Sequence, residues 1–438
     1  MQIINWALAD NITRKKTLQR RESSTDKNIH DAVATIIERV KQEGDKALFQ
    51  YAKKFDNATL SRLDVSLEEF SAAETKLTDL EKQAIITAAD NIKSFHTKST
   101  PVGFEYEKNG INLGKLYRPI EKVGLYVPGG SAPLVSTLLM LAIPAAIANC
   151  PTKILVTPPN AEGEIASAIL FAAKICGIDT IYKVGGAQAI AAMAFGTETI
   201  PKVYKIFGPG NKFVTGAKIQ VSLAENGAAL DMPAGPSEVL VIADANANSV
   251  FVASDLLAQA EHDKDAQVIL VTTSKELAIM VQSEVKKQAE RLSRNTIINE
   301  SLKKSSIILA TDLDECFSIS NQYAPEHLIL HIENAKDKLD MVHNAGSIFV
   351  GEYSPESVGD YASGTNHVLP TYGYANMYSG LDTLAFMKSI SFQHLSADGI
   401  KHIGKTVEIL ASLEGLDAHK NAVTVRLNAL KNSEPTSQ

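Results

Sequence analysis

Apolar and polar positions in the first quarter of the chain follow a helical period and then an alternating one. Apolar side chains recur every three or four residues from Ile29 to Tyr51 and from Leu67 to Phe95. This spacing predicts two amphipathic helices, because it places those side chains on one helical face. Residues from Gly103 to Tyr117 alternate instead, and the dipeptide Asn109-Gly110 favours a tight turn. We expect helices followed by a β-hairpin.

From Gly124 onward, short apolar runs are followed by helices of small residues. The first series of runs begins at Gly124, Lys153, Ile181 and Val203, and the second at Glu238, Val268, Ser305, Leu328 and Ser347. Continuous apolar strands that alternate with helices predict parallel sheets covered on both faces. Residues 351–380 are rich in Gly, Tyr, Ser and Asn, which is typical of a long functional loop. The chain becomes helical again after Leu381.

These patterns predict an α/β fold of two similar, incomplete Rossmann-like domains with parallel sheets and helical extensions at both ends. The expected boundaries are a helical tail at 1–24, one α/β domain from 25–122 with 236–381, and a second from 123–235. A helical dimerisation tail at 382–438 completes the chain. The domain from 25–122 with 236–381 carries the candidate metal and acid–base residues. The domain 123–235 carries glycine turns suited to a nucleotide.

Composition narrows the class of protein. The 438 residues carry 43 Lys and Arg against 50 Asp and Glu, a net charge of −7. No basic patch is available for phosphates, so we expect no nucleic-acid partner. The most apolar run, 134–148, is too short for a membrane span, and no secretory signal is evident. Three cysteines give no disulfide framework, and we expect a cytoplasmic protein with no membrane partner.

The segment Asp255-Leu-Leu-Ala-Gln-Ala-Glu-His262 holds the first candidate metal ligands. Asp255, Gln259 and His262 are four and three residues apart, which puts them on one helical face. An imidazole with nearby oxygen donors suits a Zn-like ion. The alternative is a polar helix end with a histidine near the negative end of the helix dipole.

Ala324-Pro-Glu-His-Leu328 is the candidate acid–base segment. Pro325 disfavours helical geometry at Ala324, so Glu326 and His327 fall on irregular backbone that can direct both into one cleft. A carboxylate beside an imidazole suits proton transfer at neutral pH. A solvent-exposed ion pair is the alternative.

Glycine turns at 129–131, 185–188 and 208–211 each lie between a strand and a helix, where backbone N–H groups bind phosphate. None matches G-x-G-x-x-G, so each could be a plain structural turn. Three turns in one series, with Tyr126, Gln188 and Asn211 beside them, indicate a nucleotide site.

Two further segments hold candidate polar side chains. Asp360 and His367 lie among glycines in the long loop, and Glu414 and His419 lie between two C-terminal helices. For the second segment, the alternative is that Asp417 caps a helix and His419 lies on its solvated first turn.

Several motifs together resemble the histidinol dehydrogenase family. They are Asp231-Met-Pro-Ala-Gly-Pro-Ser-Glu238, Asp255-Leu-Leu-Ala-Gln-Ala-Glu-His262, Gly124-Leu-Tyr-Val-Pro-Gly-Gly130, Val184-Gly-Gly-Ala-Gln188, Phe207-Gly-Pro-Gly-Asn211, Ala324-Pro-Glu-His-Leu328 and Ser363-Gly-Thr-Asn-His-Val-Leu-Pro370. One departure is Ala258, where the family commonly has a serine. The resemblance implies oxidation of L-histidinol to L-histidine through a bound aldehyde, with two hydride transfers to NAD.

The resemblance also implies the roles of individual residues. Zinc, one ion per subunit, would be held by Gln259, His262, Asp360 and His419. Substrate would contact Ser237, His367 and Glu414 in addition to the four zinc ligands and His327. NAD would lie near Tyr126, Gln188 and Asn211, while Glu326 and His327 would be the acid–base pair. The family forms homodimers in which the C-terminal tail completes the partner's site.

Two other classes of protein stay open at this point. A cysteine-dependent NAD aldehyde dehydrogenase, acting on another amino-alcohol or aldehyde, would need Cys150, Cys176 or Cys316 in the cleft. A non-catalytic nucleotide-binding protein would need the glycine turns but no ligands around His262.

Overall fold

The computed structural model describes residues 1–20, 27–129, 133–233 and 235–432. Two compact units divide the chain: unit 1 comprises Met1–Ser99 with Ile120–Phe386, and unit 2 comprises Thr100–Pro119 with the residues from Met387 onward. Among the described residues, no helix is both long enough and apolar enough to cross a membrane.

The elements follow one another along the chain as α helices and β strands. The strands are β1 (Gln2–Asn5), β2 (Phe104–Lys108), β3 (Ile111–Pro119), β4 (Lys122–Tyr126), β5 (Thr152–Thr157), β6 (Ile181–Lys183), β7 (Lys205–Phe207), β8 (Ala229–Leu230), β9 (Glu238–Ala243), β10 (Gln267–Thr272), β11 (Ser306–Leu309), β12 (His327–His331), β13 (Ser347–Val350) and β14 (Met387–Leu395). The helices are α1 (Asn11–Leu18), α2 (Lys27–Glu43), α3 (Asp45–Tyr51), α4 (Leu67–Thr75), α5 (Asp79–Lys98), α6 (Val135–Ile147), α7 (Ser167–Ile175), α8 (Gly186–Phe195), α9 (Lys212–Leu223), α10 (Ser249–Ala260), α11 (Lys275–Ala289), α12 (Asn295–Leu302), α13 (Leu313–Tyr323), α14 (Glu356–Tyr361), α15 (Ala397–Leu413) and α16 (Asp417–Asn432).

Unit 1 contains two parallel sheets with the same strand order. The five-stranded sheet runs β6-β5-β4-β7-β8, and the six-stranded sheet runs β1-β11-β10-β9-β12-β13. In each series the first strand is central and the order reverses between the first and fourth strands, as at the switch point of a Rossmann sheet. The predicted fold class, two similar Rossmann-like domains, is therefore confirmed.

The central strand β9 shows why the second series forms a sheet covered on both faces. All six of its residues are buried. Val239 and Val241 pack with α10 and α11, whereas Leu240 and Ile242 pack with α13 on the opposite face. Side chains alternate between faces along a strand, so a continuous apolar run needs cover on both sides.

The predicted N-terminal helical tail at 1–24 is wrong at its start. Residues 2–5 form the edge strand β1, which pairs in parallel with β11, and Trp6 is buried after it. Its four residues are too short to show a period of two in the sequence. The helical part is α1, and the predicted boundary at residue 24 lies outside the described residues.

Residues 25–122 were predicted to form one domain with residues 236–381, but helix α2 packs on the other sheet. The apolar face of α2, including Val33 and Ile37, packs into the core of the five-stranded sheet together with Ala191 and Val214. The first helical run breaks at Gly44, which has φ +53°, and continues as α3. The second divides into α4 and α5, and each begins with a capping box.

Unit 2 contains an antiparallel sheet in the order β14-β3-β2 and the helices α15 and α16. The predicted hairpin is confirmed, since Asn109 and Gly110 both adopt positive φ between β2 and β3. The segment 382–438 is not helical throughout, because β14 pairs with β3 along its whole length before α15 begins. This pairing was not visible in the sequence, since the two strands are far apart in the chain.

Candidate active site

The acid–base segment lies where the strands of the six-stranded sheet begin. Ala324, with φ 51° and ψ 68°, ends α13, and His327 is the first residue of β12. Glu326 and His327 are 6% and 3% exposed, so the alternative of a solvent-exposed ion pair is wrong. His327 Nδ1 lies 3.6 Å from Glu326 Oε2. The left-handed turn at Ala324 directs both side chains into the interior.

The backbone of Glu238, at the start of β9, binds both residues. Its N–H donates to Glu326 Oε2 over 2.8 Å, and its carbonyl oxygen accepts from His327 Nδ1 over 3.0 Å. When the ring is neutral, a proton on Nδ1 facing this acceptor leaves the lone pair on Nε2. Nε2 is buried and has no hydrogen-bond partner within the described part of the chain.

Arg20 anchors Glu238 in turn. The Arg20 guanidinium makes a two-pronged ion pair with the Glu238 carboxylate and lies 3.8 Å above the Tyr323 ring. The Tyr372 N–H donates to Glu238 Oε1 over 2.9 Å. No sequence signal pointed to Arg20, because its partner is 218 residues away.

The candidate metal ligands lie beside His327. The potential ligand atoms of His262, Glu356 and Asp360 are all within 4.8 Å of one another. With the Gln259 amide turned so that its nitrogen faces Glu356, that nitrogen donates to the two Glu356 oxygens over 2.6 and 2.8 Å and lies 3.0 Å from His327 Nδ1. The structure thus brings together the predicted Gln259, His262 and Asp360. Glu356 was not predicted, although its position one helical turn before Asp360 was a usable signal.

Asp255, the remaining member of the predicted metal face, is engaged elsewhere. Its Oδ2 lies 2.8 Å from His331 Nε2, and both side chains are buried. His331 comes from β12, and its side chain turns toward α10. Asp255 therefore belongs to a buried pair rather than to the cluster.

The cluster is rich in buried carboxylates. Burial raises the pKa of Glu326 to about 8 and raises that of Glu356 well above its ordinary value. Burial lowers the pKa of His327, but Glu356, Glu326 and Asp360 outweigh it and raise that pKa well above its ordinary value. His327 Nε2 is 3.6 Å from Asp360 Oδ1. In the chain alone, the neighbouring acidic groups thus favour the protonated form of His327.

The other predicted substrate contacts are more dispersed. Ser237 is half-buried and directly precedes Glu238. His367 already uses both ring nitrogens, with Nε2 2.9 Å from Thr137 Oγ1 and Nδ1 2.9 Å from the Asp360 carbonyl oxygen. Glu414 and His419 belong to unit 2, at the end of α15 and in α16, and both are exposed. Substrate binding by these four residues remains a prediction.

The predicted cofactor residues line one cavity of about 930 Å³ at the carboxyl ends of the five-stranded sheet. Tyr126, Gln188 and Asn211 all contribute to its wall. Tyr126 Oη accepts from the Gly186 N–H over 3.1 Å, and Asn211 caps the N-terminus of α9. The turns at 185–188 and 208–211 are present, but residues 130 and 131 of the first turn lie outside the described residues.

The two regions are linked by Thr137 and His367. Thr137 lies one turn into α6, after the cavity-lining Pro133 and Leu134. Its hydrogen bond to His367 connects α6 to Asp360, because His367 also contacts the Asp360 carbonyl oxygen. The cavity and the cluster thus share a short chain of contacts.

The cysteines do not provide an alternative nucleophile. Burial raises the pKa of the Cys150 thiol to about 11 and of the Cys176 and Cys316 thiols to about 12. Among the described residues lining the cavity, none is a cysteine. A reactive thiolate needs a lowered pKa and access to substrate, so the cysteine-dependent mechanism has no support here.

Comparisons with known proteins identify the family of this chain. The model of the family described as histidinol dehydrogenase matches residues 19–427. The chain is 54% identical over 432 residues to the histidinol dehydrogenase of Mannheimia succiniciproducens, covering 98% of this chain and 100% of that protein. It is 51% identical over 431 residues to that of Escherichia coli K12, covering 98% of each. The crystal structure of histidinol dehydrogenase from Elizabethkingia anophelis superimposes with a TM-score of 0.95 at 48% identity, covering 98% of this chain and 99% of that one. This chain therefore belongs to the histidinol dehydrogenase family.

Proposed function

We propose that this chain oxidises L-histidinol to L-histidine with two molecules of NAD, through L-histidinal that stays bound, in the final steps of histidine biosynthesis. Membership of the histidinol dehydrogenase family supports the substrate and the reaction type. The observation that carries the proposal is the buried pair Glu326–His327, held by the backbone of one residue beside the cluster. The two half-reactions need a base for the hydroxyl proton and a base for the added water.

We assign the hydroxyl proton to His327. Its Nδ1 is engaged by the Glu238 carbonyl oxygen, so Nε2 is the nitrogen available to a bound substrate. As Nε2 of the neutral ring takes the hydroxyl proton, the C–O bond gains double-bond character and a hydride leaves the same carbon for NAD. The product of this step is the aldehyde.

We assign the activation of water to Glu326. Oxidation of the aldehyde begins with addition of water, and Glu326 takes a proton from that water before the second hydride leaves. Burial raises the pKa of Glu326 to about 8, which makes the carboxylate a stronger base near neutral pH than an ordinary glutamate. No cysteine nucleophile is required.

The cluster fits a zinc ion. Its donors are imidazole nitrogen, amide oxygen and carboxylate oxygen without sulfur, a set compatible with zinc. A positive charge there would stabilise the ionised form of carboxyl groups whose pKa is raised by burial and by neighbouring acids. Gln259, His262 and Asp360 would hold the ion with His419, and Glu356 would orient Gln259. When bound, the ion would orient the imidazole and amine of the substrate and offset the carboxylate charge.

The cavity beside the glycine turns is the proposed NAD site. Tyr126, Gln188 and Asn211 line it, and its volume of about 930 Å³ suits a dinucleotide. It lies at the carboxyl ends of the strands, where the strand order reverses between β4 and β7. Such crevices bind nucleotides in doubly wound sheets.

We further propose that His419 and Glu414 of the partner subunit complete each site of a homodimer. In unit 2, Leu410, Leu413, Leu416 and Val425 are exposed, and Val423 is half-buried. Apolar side chains at such positions are typical of an interface with another body, and a two-fold dimer provides one.

The test is the stoichiometry of NADH. Purified, zinc-loaded protein is incubated with limiting L-histidinol and excess NAD, and NADH absorbance is followed to completion. We expect two NADH per histidinol, with L-histidine as the product. One NADH per histidinol, or activity only with other aldehydes, would refute the four-electron reaction in favour of a simpler NAD-dependent dehydrogenase.

A further inference from the structure

Asp56 lies at an unusual backbone feature on the wall of the proposed NAD cavity. It ends the five-residue π-helical turn Ala52–Asp56 that continues α3, and the next residue, Asn57, has φ 55°. Asp56 and its neighbour Phe55 both line the cavity with Tyr126. Single π turns are uncommon and often occur at functional positions.

The Asp56 carboxylate is short of hydrogen-bond donors. Its Oδ2 is buried and finds no donor among the described residues, and burial raises the pKa of Asp56 to about 6. The carboxylate is therefore largely ionised at neutral pH while one oxygen lacks a partner. Buried polar groups are normally satisfied, so an unsatisfied one beside a cavity calls for a donor from outside the chain.

Glu164, the second acidic residue on this cavity wall, has a charged partner within the chain. Glu164 is exposed, and its Oε2 lies 3.7 Å from Lys76 Nζ. The turn after β5, where Rossmann NAD sites carry the acid that binds ribose, reads Thr157-Pro-Pro-Asn160 and has no carboxylate. Asp56 is therefore the better placed acid for that purpose.

We propose that Asp56 accepts hydrogen bonds from the ribose hydroxyls in the adenosine half of NAD and so selects NAD over NADP. This inference rests on the proposed function, in which the cavity holds NAD. A carboxylate can accept from both hydroxyls of a vicinal diol. It repels a 2′-phosphate at the same place, because both groups are negatively charged.

The aromatic neighbours are consistent with the adenosine half. Phe55 is 49% exposed and stacks in parallel on Tyr51, with ring centroids 5.4 Å apart. Tyr51 thus covers one face of the Phe55 ring, and Phe55 directly precedes Asp56 in the sequence. An aromatic surface beside a diol-binding carboxylate is the combination that a nucleoside requires.

The experiment measures dinucleotide binding without turnover. Calorimetric titration with NAD and, separately, NADP is carried out on wild type, Asp56→Asn, Asp56→Ser and the control Glu162→Gln, at an exposed acid that does not line the cavity. Both Asp56 variants should bind NAD about tenfold or more weakly, because a charged acceptor is lost. Their affinity for NADP should rise or stay unchanged, so the ratio of NAD affinity to NADP affinity should fall. Glu162→Gln should keep the wild-type values.

The outcomes separate this inference from the proposed function. A wild-type protein that binds no NAD would overturn the proposed cofactor site itself. Normal NAD binding by both Asp56 variants would overturn only the inference, as would an equal change in the NAD-to-NADP affinity ratio of the control Glu162→Gln. An equal loss of affinity for NAD and NADP would show that Asp56 supports the cavity wall without selecting the cofactor. Unfolding temperatures of all variants identify any that fail to fold, and Asp56→Asn is the near-isosteric one.

Discussion

His327 donates its Nδ1–H to the backbone carbonyl oxygen of Glu238 over 3.0 Å, and this bond decides which ring nitrogen can face a substrate. The N–H of the same residue holds Glu326 Oε2 over 2.8 Å. Both proposed catalytic groups are therefore held by main-chain atoms of one strand end. Because Arg20 anchors the Glu238 side chain, the strand end is itself held in place.

Substitution of the two proposed catalytic residues, Glu326 and His327, should separate the half-reactions. Glu326→Gln retains the size of the side chain but cannot take a proton from water, so histidinal oxidation should slow by about 100-fold or more. Histidinol oxidation by one equivalent of NAD should persist. His327→Gln should slow both steps, since a proton moves in each. Single-turnover NADH formation from histidinol and from histidinal measures the steps, and normal histidinal oxidation by Glu326→Gln would contradict the assignment.

The aldehyde step should also report the pKa of Glu326. Burial raises that pKa to about 8, and the base must be ionised to accept a proton. The rate should therefore rise with pH, reach half its maximum near pH 8 and level off at higher pH. A profile of histidinal oxidation between pH 6 and 10 checks this expectation, with Glu326→Gln as the variant that should lose the transition. A rate that is already constant from pH 6 upward, as a glutamate with an ordinary pKa of about 4.3 would give, would count against a buried base.

Removal of zinc and substitution of Glu356 both test the proposed metal site. Chelation should abolish turnover while leaving the fold intact, and cobalt or manganese should restore it. Glu356→Gln should lower zinc affinity about 10- to 100-fold, because Glu356 contacts the amide of the proposed ligand Gln259. Competition with a chromogenic chelator gives that affinity. The exposed Glu352→Gln supplies a matched control, and full activity of metal-free protein would rule the metal out.

The glycine turn before α9 offers a local test of the cofactor cavity. A Cβ at Gly210 would lie 2.3 Å from Val214 Cγ1, whereas a Cβ at Gly216 in the same helix would meet nothing closer than 3.6 Å. Gly210→Ala should displace the turn that carries Asn211 and raise the KM for NAD several-fold. The KM for histidinol should change much less, and Gly216→Ala should resemble wild type. Equal increases in both constants for Gly210→Ala would indicate general damage instead.

The parts of the site that the sequence predicted are local ones. Glu326 and His327 adjoin a proline that ends a helix, and Gln259 and His262 share one helical face. Asp255 shares that face too, but its contact with His331 depends on a strand 76 residues away. Apolar periodicity and residue spacing report on neighbours within one or two helical turns. They could not reveal the contact between Asp255 and His331.

The short range of sequence patterns also explains which site residues and which parts of the fold were not predicted. Glu356 follows the helical spacing of Asp360 and could have been found, whereas Arg20 could not, because its role comes from a contact with distant Glu238. The parallel sheets were predictable, since buried strands are continuously apolar. The four-residue β1 and the packing of α2 on the five-stranded sheet follow from tertiary contacts.

The proposed sharing of sites between subunits can be tested by complementation. His262 belongs to unit 1 and His419 to unit 2, and His262→Asn and His419→Asn should each be inactive in homodimers. When the two variants exchange subunits, each heterodimer should contain one site with both substitutions and one with neither. Random exchange makes half of the dimers heterodimers, so about a quarter of all sites should become active.

The alternative is that the C-terminal helices complete the site of their own chain. Every site in the mixture would then contain one substitution, and no activity would return. Subunit exchange is verified independently with one variant carrying an affinity tag and by mass measurement of the mixed dimer. His402→Asn, an exposed position in α15 whose partner is Asn109 within unit 2, is the matched control and should stay active without complementation. Verified exchange without recovered activity would exclude the shared site, because a shared site regenerates an intact pair of His262 and His419 in every heterodimer.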